Sequence, residues 1–170
     1  TTEISIQEQQ KNNVAKLQQA NADIINVYTN TLTGIVSETK ESELGGLSEK
    51  LQSYIKSIIL TKLDGAMRDF LRVDALSYLV ERWILIANQL RQMGNDFGAS
   101  VVYKALTNGP IKRISESRNI LSDEAKSILQ HLSTRYSSGI ELKKPDKISF
   151  DSSYVSPSLK NDISASDIPL

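Results

Sequence analysis

Residues 74–114 read DALSYLVERWILIANQLRQMGNDFGASVVYKALTNGPIKRI, and this stretch decides the fold of the chain. Its apolar residues recur at steps of three and four, as on one face of an α-helix: Leu76, Leu79, Val80, Trp83, Ile84, Ala87, Leu90 and Met93. Leu85 and Ile86 widen this stripe beyond what a surface helix needs. The pattern predicts a helix that packs on more than one side, near the centre of an all-helical domain, with Trp83 and Ala87 in the core.

A tight corner follows this helix. Gly94, Asn95, Asp96 and Gly98 stop it, and a second, shorter apolar helix follows. The sequence Asn108-Gly109-Pro110 ends the second helix, because proline cannot continue a helix and biases the preceding residue away from helical angles. We predict that residues 110–113 form a fixed corner in which the Arg113 guanidinium binds backbone carbonyls or a carboxylate, since its planar fork offers several donors at once. A surface arginine free in solvent is the alternative.

The composition of the whole chain excludes several classes of protein. Twenty basic residues balance twenty acidic ones in the 170-residue chain, so nothing in the charge favours nucleic acid or an anionic membrane as a partner. There is no cysteine and His131 is the only histidine, which leaves little material for a metal site or a nucleophilic triad. No apolar run approaches the ~20 residues of a membrane span. We therefore expect a soluble, cytoplasmic protein without a metal or cofactor.

The chain divides into three parts by pattern. Residues 1–44 carry the spacing of a long amphipathic helix, which either packs against the domain or extends from it as a dimerising arm. Residues 45–139 form the helical core, where the Trp83 stripe is expected to pack on Ile55, Ile58 and Ile59 from one helix and on Leu129 and Leu132 from a helix capped by Ser122. Residues 140–170 contain three of the four prolines and many serines, and they are predicted to be extended.

Five motifs, in this order along the chain, resemble the catalytic domain of Ras-family guanine nucleotide exchange factors. They are Trp83-Ile84-Leu85-Ile86-Ala87, Leu90-Arg91, Gly94-Asn95-Asp96-Phe97, the small-residue helix from Ala99 to Leu106, and Gly109-Pro110-Ile111-Lys112-Arg113-Ile114. The flanking helices, at 47–60 and 121–136, are similar to those of the family as well. The resemblance covers roughly residues 45–138, and residues 1–42 show no recognisable family motif. The corner departs from the family's Asn-Asn-Phe-Asn, because its phenylalanine stands one place late.

The resemblance implies an all-α, single-domain orthogonal helical bundle. In the family, such a bundle forms a bowl that grips switch 2 of a small GTPase of the Ras superfamily, while a helical hairpin displaces switch 1. That hairpin lies after a proline-containing segment that follows the helix at 121–136, and this sequence stops at about that point. We expect a core truncated before the hairpin, either as a fragment of a larger protein or as a divergent protein that lost or replaced it.

The resemblance also implies a contact surface for the GTPase. It comprises polar positions that lie off the Trp83 stripe or in the corner: Gln89, Arg91, Gln92, Asn95 and Asp96. Trp83, Ala87, Pro110 and Arg113 are assigned structural roles. An exchange factor works by binding energy and needs no acid, base or nucleophile, so no catalytic residue is expected. A non-catalytic helical module or scaffold for protein–protein interaction is the alternative function.

Overall fold

Helices dominate the structure of this protein, a computed structural model that describes residues 2–66, 73–107, 109, 111–113, 121–145 and 148–165. The α-helices with assigned bounds are α1 (Thr2–Glu38), α2 (Leu44–Ala66), α3 (Val73–Gln92), α4 (Asp96–Thr107), α5 (Asp123–Tyr136) and α6 (Pro157–Ser164). Short 3-10 turns lie at Glu41–Glu43 and Ser152–Tyr154. The described residues contain no strand, so the predicted all-α class is confirmed.

Helix α3 is the centre of the fold, because it packs against α1, α2, α4 and α5. Trp83 is only 1% exposed, and Ala87 is fully buried. The indole meets the ring of Tyr28 on α1 edge to face, with 5.0 Å between the ring centroids. The predicted burial of Trp83 and Ala87 is confirmed.

One hydrophobic core joins the faces that the sequence pattern identified. Ile55 and Ile59 of α2 and Leu132 of α5 are buried in the same cluster as Trp83, while Ile58 and Leu129 are partly buried at its edge. Helix α1 adds a fourth face of buried side chains, namely Ile25, Leu32, Ile35 and Val36. The core therefore needs α1 as much as it needs α2 and α5.

A row of hydrogen bonds, the polar seam, fixes α1 to α3. Arg82 Nε of α3 donates to Asn21 Oδ1 of α1 (2.9 Å). One to two turns later, Gln89 Nε2 donates to Asn26 Oδ1 (2.7 Å) and to Thr29 Oγ1 (3.3 Å). Just after α3, Asn95 Nδ2 donates to Thr33 Oγ1 (3.2 Å). Residue numbers rise together along both helices, so α1 and α3 run parallel. Of the two alternatives for α1, packing against the domain is the one observed from Asn21 onwards.

The predicted division between residues 44 and 45 lies one residue after the start of α2, so that Gly45 and Gly46 fall in the first turn of that helix. The prediction of an extended conformation for residues 140–170 is wrong in part. Within the segment predicted to be extended, Pro157–Ser164 forms α6. The helix starts here because Ser156 Oγ accepts a hydrogen bond from the Leu159 amide, and Pro157 occupies a first-turn position where no amide hydrogen is needed.

Residues 148–164 form a strap across α1. The Asp151 amide donates to Asn30 Oδ1 (2.7 Å), and the Ser156 amide donates to Thr31 Oγ1 (3.0 Å). A Cβ atom at Gly34 would lie 3.5 Å from the Phe150 ring, so this ring packs directly on the backbone of α1. Leu159 and Ile163 of α6 are buried in the core, which anchors the far end of the strap.

None of the helices in the described ranges is both long and apolar enough to cross a membrane.

Candidate functional site

The five predicted contact residues surround the corner between α3 and α4, but they do not form a single patch. Successive residues of a helix are rotated by about 100° around its axis. Gln89 and Arg91, which are two residues apart, therefore point to nearly opposite sides of α3. Gln89 is half-buried and shares its side of α3 with the exposed Gln92. Arg91 lies on the other side, near Asp96. The corner therefore presents two polar edges.

Asn95 lies inside the fold and not on the predicted surface, which corrects its assignment as an exposed contact. Its side chain is fully buried. Its Oδ1 accepts the Gly98 amide (2.9 Å), which caps the first turn of α4, and its Nδ2 donates to Thr33 of α1. The free amides of a helix N-terminus need an acceptor, and a buried corner leaves no water to supply it. Asn95 therefore holds the corner together and cannot touch a partner directly.

Gly98 is a second determinant of the corner, and we expect Gly98→Ala to destabilise the protein by about 1–3 kcal/mol. A Cβ atom at Gly98 would lie 2.7 Å from Asn95 Nδ2 and 3.1 Å from its Cγ, and this amide is buried and held by two hydrogen bonds. Gly46→Ala is the matched control, because its Cβ would meet nothing within 4 Å in α2. Urea denaturation should leave the control unchanged or stabilise it by up to ~1 kcal/mol. Equal stability of the two variants would contradict this account of the corner.

Asp96 joins the corner to α5. Its carboxylate accepts hydrogen bonds from Arg135 Nε (3.0 Å), Arg135 Nη2 (3.3 Å) and the Tyr136 hydroxyl (2.6 Å). Partial burial would raise the pKa of Asp96, but the hydrogen bonds from Arg135 and Tyr136 and the charges of Arg135 and Arg91 outweigh it and lower the pKa below its ordinary value. The hydrogen bond to Asp96 likewise raises the pKa of Arg135, and burial raises that of Tyr136. The Asp96–Arg135 pair stays charged at neutral pH.

Sequence reasoning missed Arg135 and Tyr136, although it singled out Asp96. The partners lie 39 and 40 residues away from Asp96 along the chain, and no local pattern links them. The Arg135 side chain remains 54% exposed, whereas that of Asp96 is 29% exposed. The cluster thus positions a guanidinium at the surface beside the corner.

Arg91 completes this edge of the corner. Its Nη2 donates to Asn88 Oδ1 (3.0 Å) one turn earlier in α3. Its Nε is buried and has no acceptor within the described part of the chain.

The predicted structural roles at residues 110 and 113 have different outcomes. Pro110 lies outside the described residues. Arg113 is exposed, and its backbone amide donates to the Gly109 carbonyl (3.3 Å) in a turn where Gly109 has φ 65°. Its guanidinium has no carbonyl or carboxylate partner within the ranges that the structure describes. The predicted bonding of Arg113 is therefore corrected to the alternative, a surface arginine.

The acidic and histidine side chains of the described residues do not gather into a group that could hold a metal ion.

Comparison with known proteins adds one match. A family model described as RasGEF domain matches residues 4–148. This range begins in α1 and reaches the start of the strap, so it extends beyond the predicted 45–138 and includes the N-terminal residues where we recognised no motif. No curated protein and no solved structure matches the chain.

Proposed function

The chain belongs to the RasGEF domain family, and from this premise we propose that it binds a small GTPase of the Ras superfamily and accelerates release of its nucleotide. The observation that carries the proposal is the family match over residues 4–148, which includes α1 to α5 and the corner between α3 and α4. The all-α fold agrees with it. Neither binding nor exchange requires a cofactor or a nucleophile from this chain.

We place the contact at the exposed polar edges of the corner. Gln92 is exposed there, Arg91 and Asp96 are partly exposed, and Arg135 projects beside them from α5. Binding sites favour a rigid platform with polar groups at its rim. The buried amide of Asn95 supplies the rigidity, because it ties the corner to both α1 and α4.

Binding and exchange are separable steps. Coupling between two ligands of one protein is ordinarily ~1–3 kcal/mol, which weakens the second ligand only 5–150-fold. Eviction of a tightly held nucleotide therefore requires direct action on the nucleotide site in addition to docking at the corner. The experiment must measure complex formation and release independently.

The direct test uses a panel of Ras-superfamily GTPases loaded with a fluorescent nucleotide. Complex formation is followed by size-exclusion chromatography, and release is followed by the loss of fluorescence against excess unlabelled nucleotide. We expect at least one GTPase to bind and to lose its nucleotide faster. A complex without faster release would retain the binding half of the proposal and favour a scaffold. If no GTPase binds, the whole proposal is wrong.

The location of the contact is tested by the double variant Arg91→Ala with Gln92→Ala. We expect it to weaken binding to the responsive GTPase about tenfold or more, as is usual when a central arginine of an interface is truncated. The control is Lys56→Ala with Ser57→Ala, which removes a charge and a polar group from α2, where Lys56 is half-buried and Ser57 is exposed, and should leave binding unchanged. Both variants should keep the parent melting temperature within a few degrees. Equal affinities of the two variants would move the contact away from the corner.

A further inference from the structure

A groove separates the strap from α3, and it joins the surface proposed above. It is lined by Asn30 of α1, by Gln89 of α3 and Met93 directly after that helix, and by residues 149–152 of the strap, and it is a shallow depression of about 550 Å³ that is wide open to solvent. Gln89, and Met93 one turn after it, face the same side as the exposed Gln92. The strap groove, as we call it, is therefore continuous with one edge of the corner.

Three amide groups in the lining of the groove, those of the Gln89 and Asn30 side chains and of the Asp151 backbone, already donate within the fold. Gln89 Nε2 donates to Asn26 and Thr29, and Asn30 Nδ2 donates to the Asn26 carbonyl (2.7 Å). The Asp151 amide is taken by Asn30 Oδ1. The strap thus closes against α1 through bonds that consume backbone amide hydrogens.

Two strong acceptors of the groove remain unused. Asp151 Oδ1 accepts the Ser153 amide (3.0 Å) and hydroxyl (2.6 Å), whereas Asp151 Oδ2 has no partner within the described residues. Gln89 Oε1 is likewise without a donor in that part of the chain. Among the described residues that line the groove, Asp151 is the one that carries a charge. The groove therefore offers negative charge and acceptors to a ligand that supplies positive charge and donors.

We propose that the strap groove receives a basic side chain, arginine or lysine, from the GTPase bound at the corner. Guanidinium and ammonium groups carry several donors and no acceptor, which complements the two free acceptors of the groove. Charge-assisted hydrogen bonds to a carboxylate are about twice as strong as those between neutral groups. The inference rests on the proposed function, because the basic side chain belongs to the partner that the corner binds.

The test replaces Asp151 with asparagine, which removes the charge but keeps an Oδ1 acceptor for the Ser153 amide. Glu141→Gln is the matched control, because it removes the same charge from an exposed side chain outside the groove. We expect Asp151→Asn to weaken binding of the responsive GTPase about 5–20-fold at low salt, and less at high salt, as for other close interfacial charge pairs. The control should change affinity less than twofold, and both variants should melt with the parent protein.

A charge-reversal experiment identifies the partner side chain. Asp151→Arg should weaken binding more than Asp151→Asn, and one Arg→Glu or Lys→Glu substitution on the GTPase should restore the affinity of the Asp151→Arg variant but not that of the parent. This rescue also guards against an indirect effect of the variant on the strap. If the parent binds a GTPase while Asp151→Asn and Glu141→Gln bind it equally well, or if no substitution on the GTPase rescues, the groove proposal alone is wrong. If the parent binds no GTPase, the proposed function fails first.

Discussion

Replacement of Trp83 by alanine should lower the free energy of unfolding by about 3–5 kcal/mol, the range found when a buried aromatic side chain is truncated. Trp83 is 1% exposed at the centre of the core, where α3 meets four other helices. The variant also loses the edge-to-face contact between the Trp83 and Tyr28 rings. Chemical denaturation monitored by circular dichroism at 222 nm measures the change. Far-ultraviolet detection is required because the variant removes the only tryptophan.

The control for this prediction is Leu142→Ala, because Leu142 is 55% exposed. Its effect should stay within about 0.5 kcal/mol, as for other surface substitutions. A cost below about 1 kcal/mol at Trp83 would show that the core tolerates the loss of its central side chain, and α3 would no longer be the organising helix.

Replacement of Asn95 by alanine should cost about 2–4 kcal/mol, which is large for a polar residue. The variant removes the cap from the Gly98 amide, a loss worth about 0.5–2 kcal/mol, and it leaves the buried Thr33 hydroxyl without one partner, at about 1–3 kcal/mol. Asn161→Ala is the control, because Asn161 is exposed on α6. The melting temperatures of the two variants, measured by differential scanning calorimetry, should differ by several degrees.

A second variant separates the two roles of Asn95. Asn95→Asp keeps the Oδ1 acceptor for the Gly98 amide and loses the donor to Thr33, but it also buries a charge, which is costly without a paired cation. We therefore expect it to be no more stable than Asn95→Ala at neutral pH. If Asn95→Ala melts with the parent protein, the amide does not hold the corner, and Asn95 would return to the candidate contact residues.

The core could be predicted from the sequence because its evidence is local. The spacing of Trp83, Ala87 and Leu90 places them on one helical face wherever the helix lies. The corner was also predictable from the sequence, because Gly94 marks the end of the helix. Its φ of 88°, a conformation that favours glycine, agrees with that prediction. Periodicity, however, does not say which other helix covers a face. The sequence of α1 predicted an amphipathic helix, but only the packing showed that its apolar face belongs to the core.

The polar part of the site was harder to predict, because type and spacing do not reveal direction. Asn95 was taken for a surface residue since it is polar, yet Asn three residues before Gly98, at the start of an apolar helix, is also the pattern of an N-cap. Ser156-Pro157 similarly marks the start of α6. These two signals were present in the sequence. The pairs Asp96–Arg135 and Gln89–Asn26 were not, because each joins helices that are distant in the chain.

Because the strap lies near the end of the described chain, α1 can complete its contacts only late in synthesis. The amides that bind Asn30 and Thr31 belong to residues 121 and 125 positions further along the chain. A ribosome that adds ~5–20 residues per second exposes them roughly 6–25 s after the side chains they bind. Over that interval α1 presents an unfilled amide oxygen, an unfilled hydroxyl and the bare backbone at Gly34, where chaperones have time to act. Helix α1 is thus the first described helix to emerge and among the last to be finished.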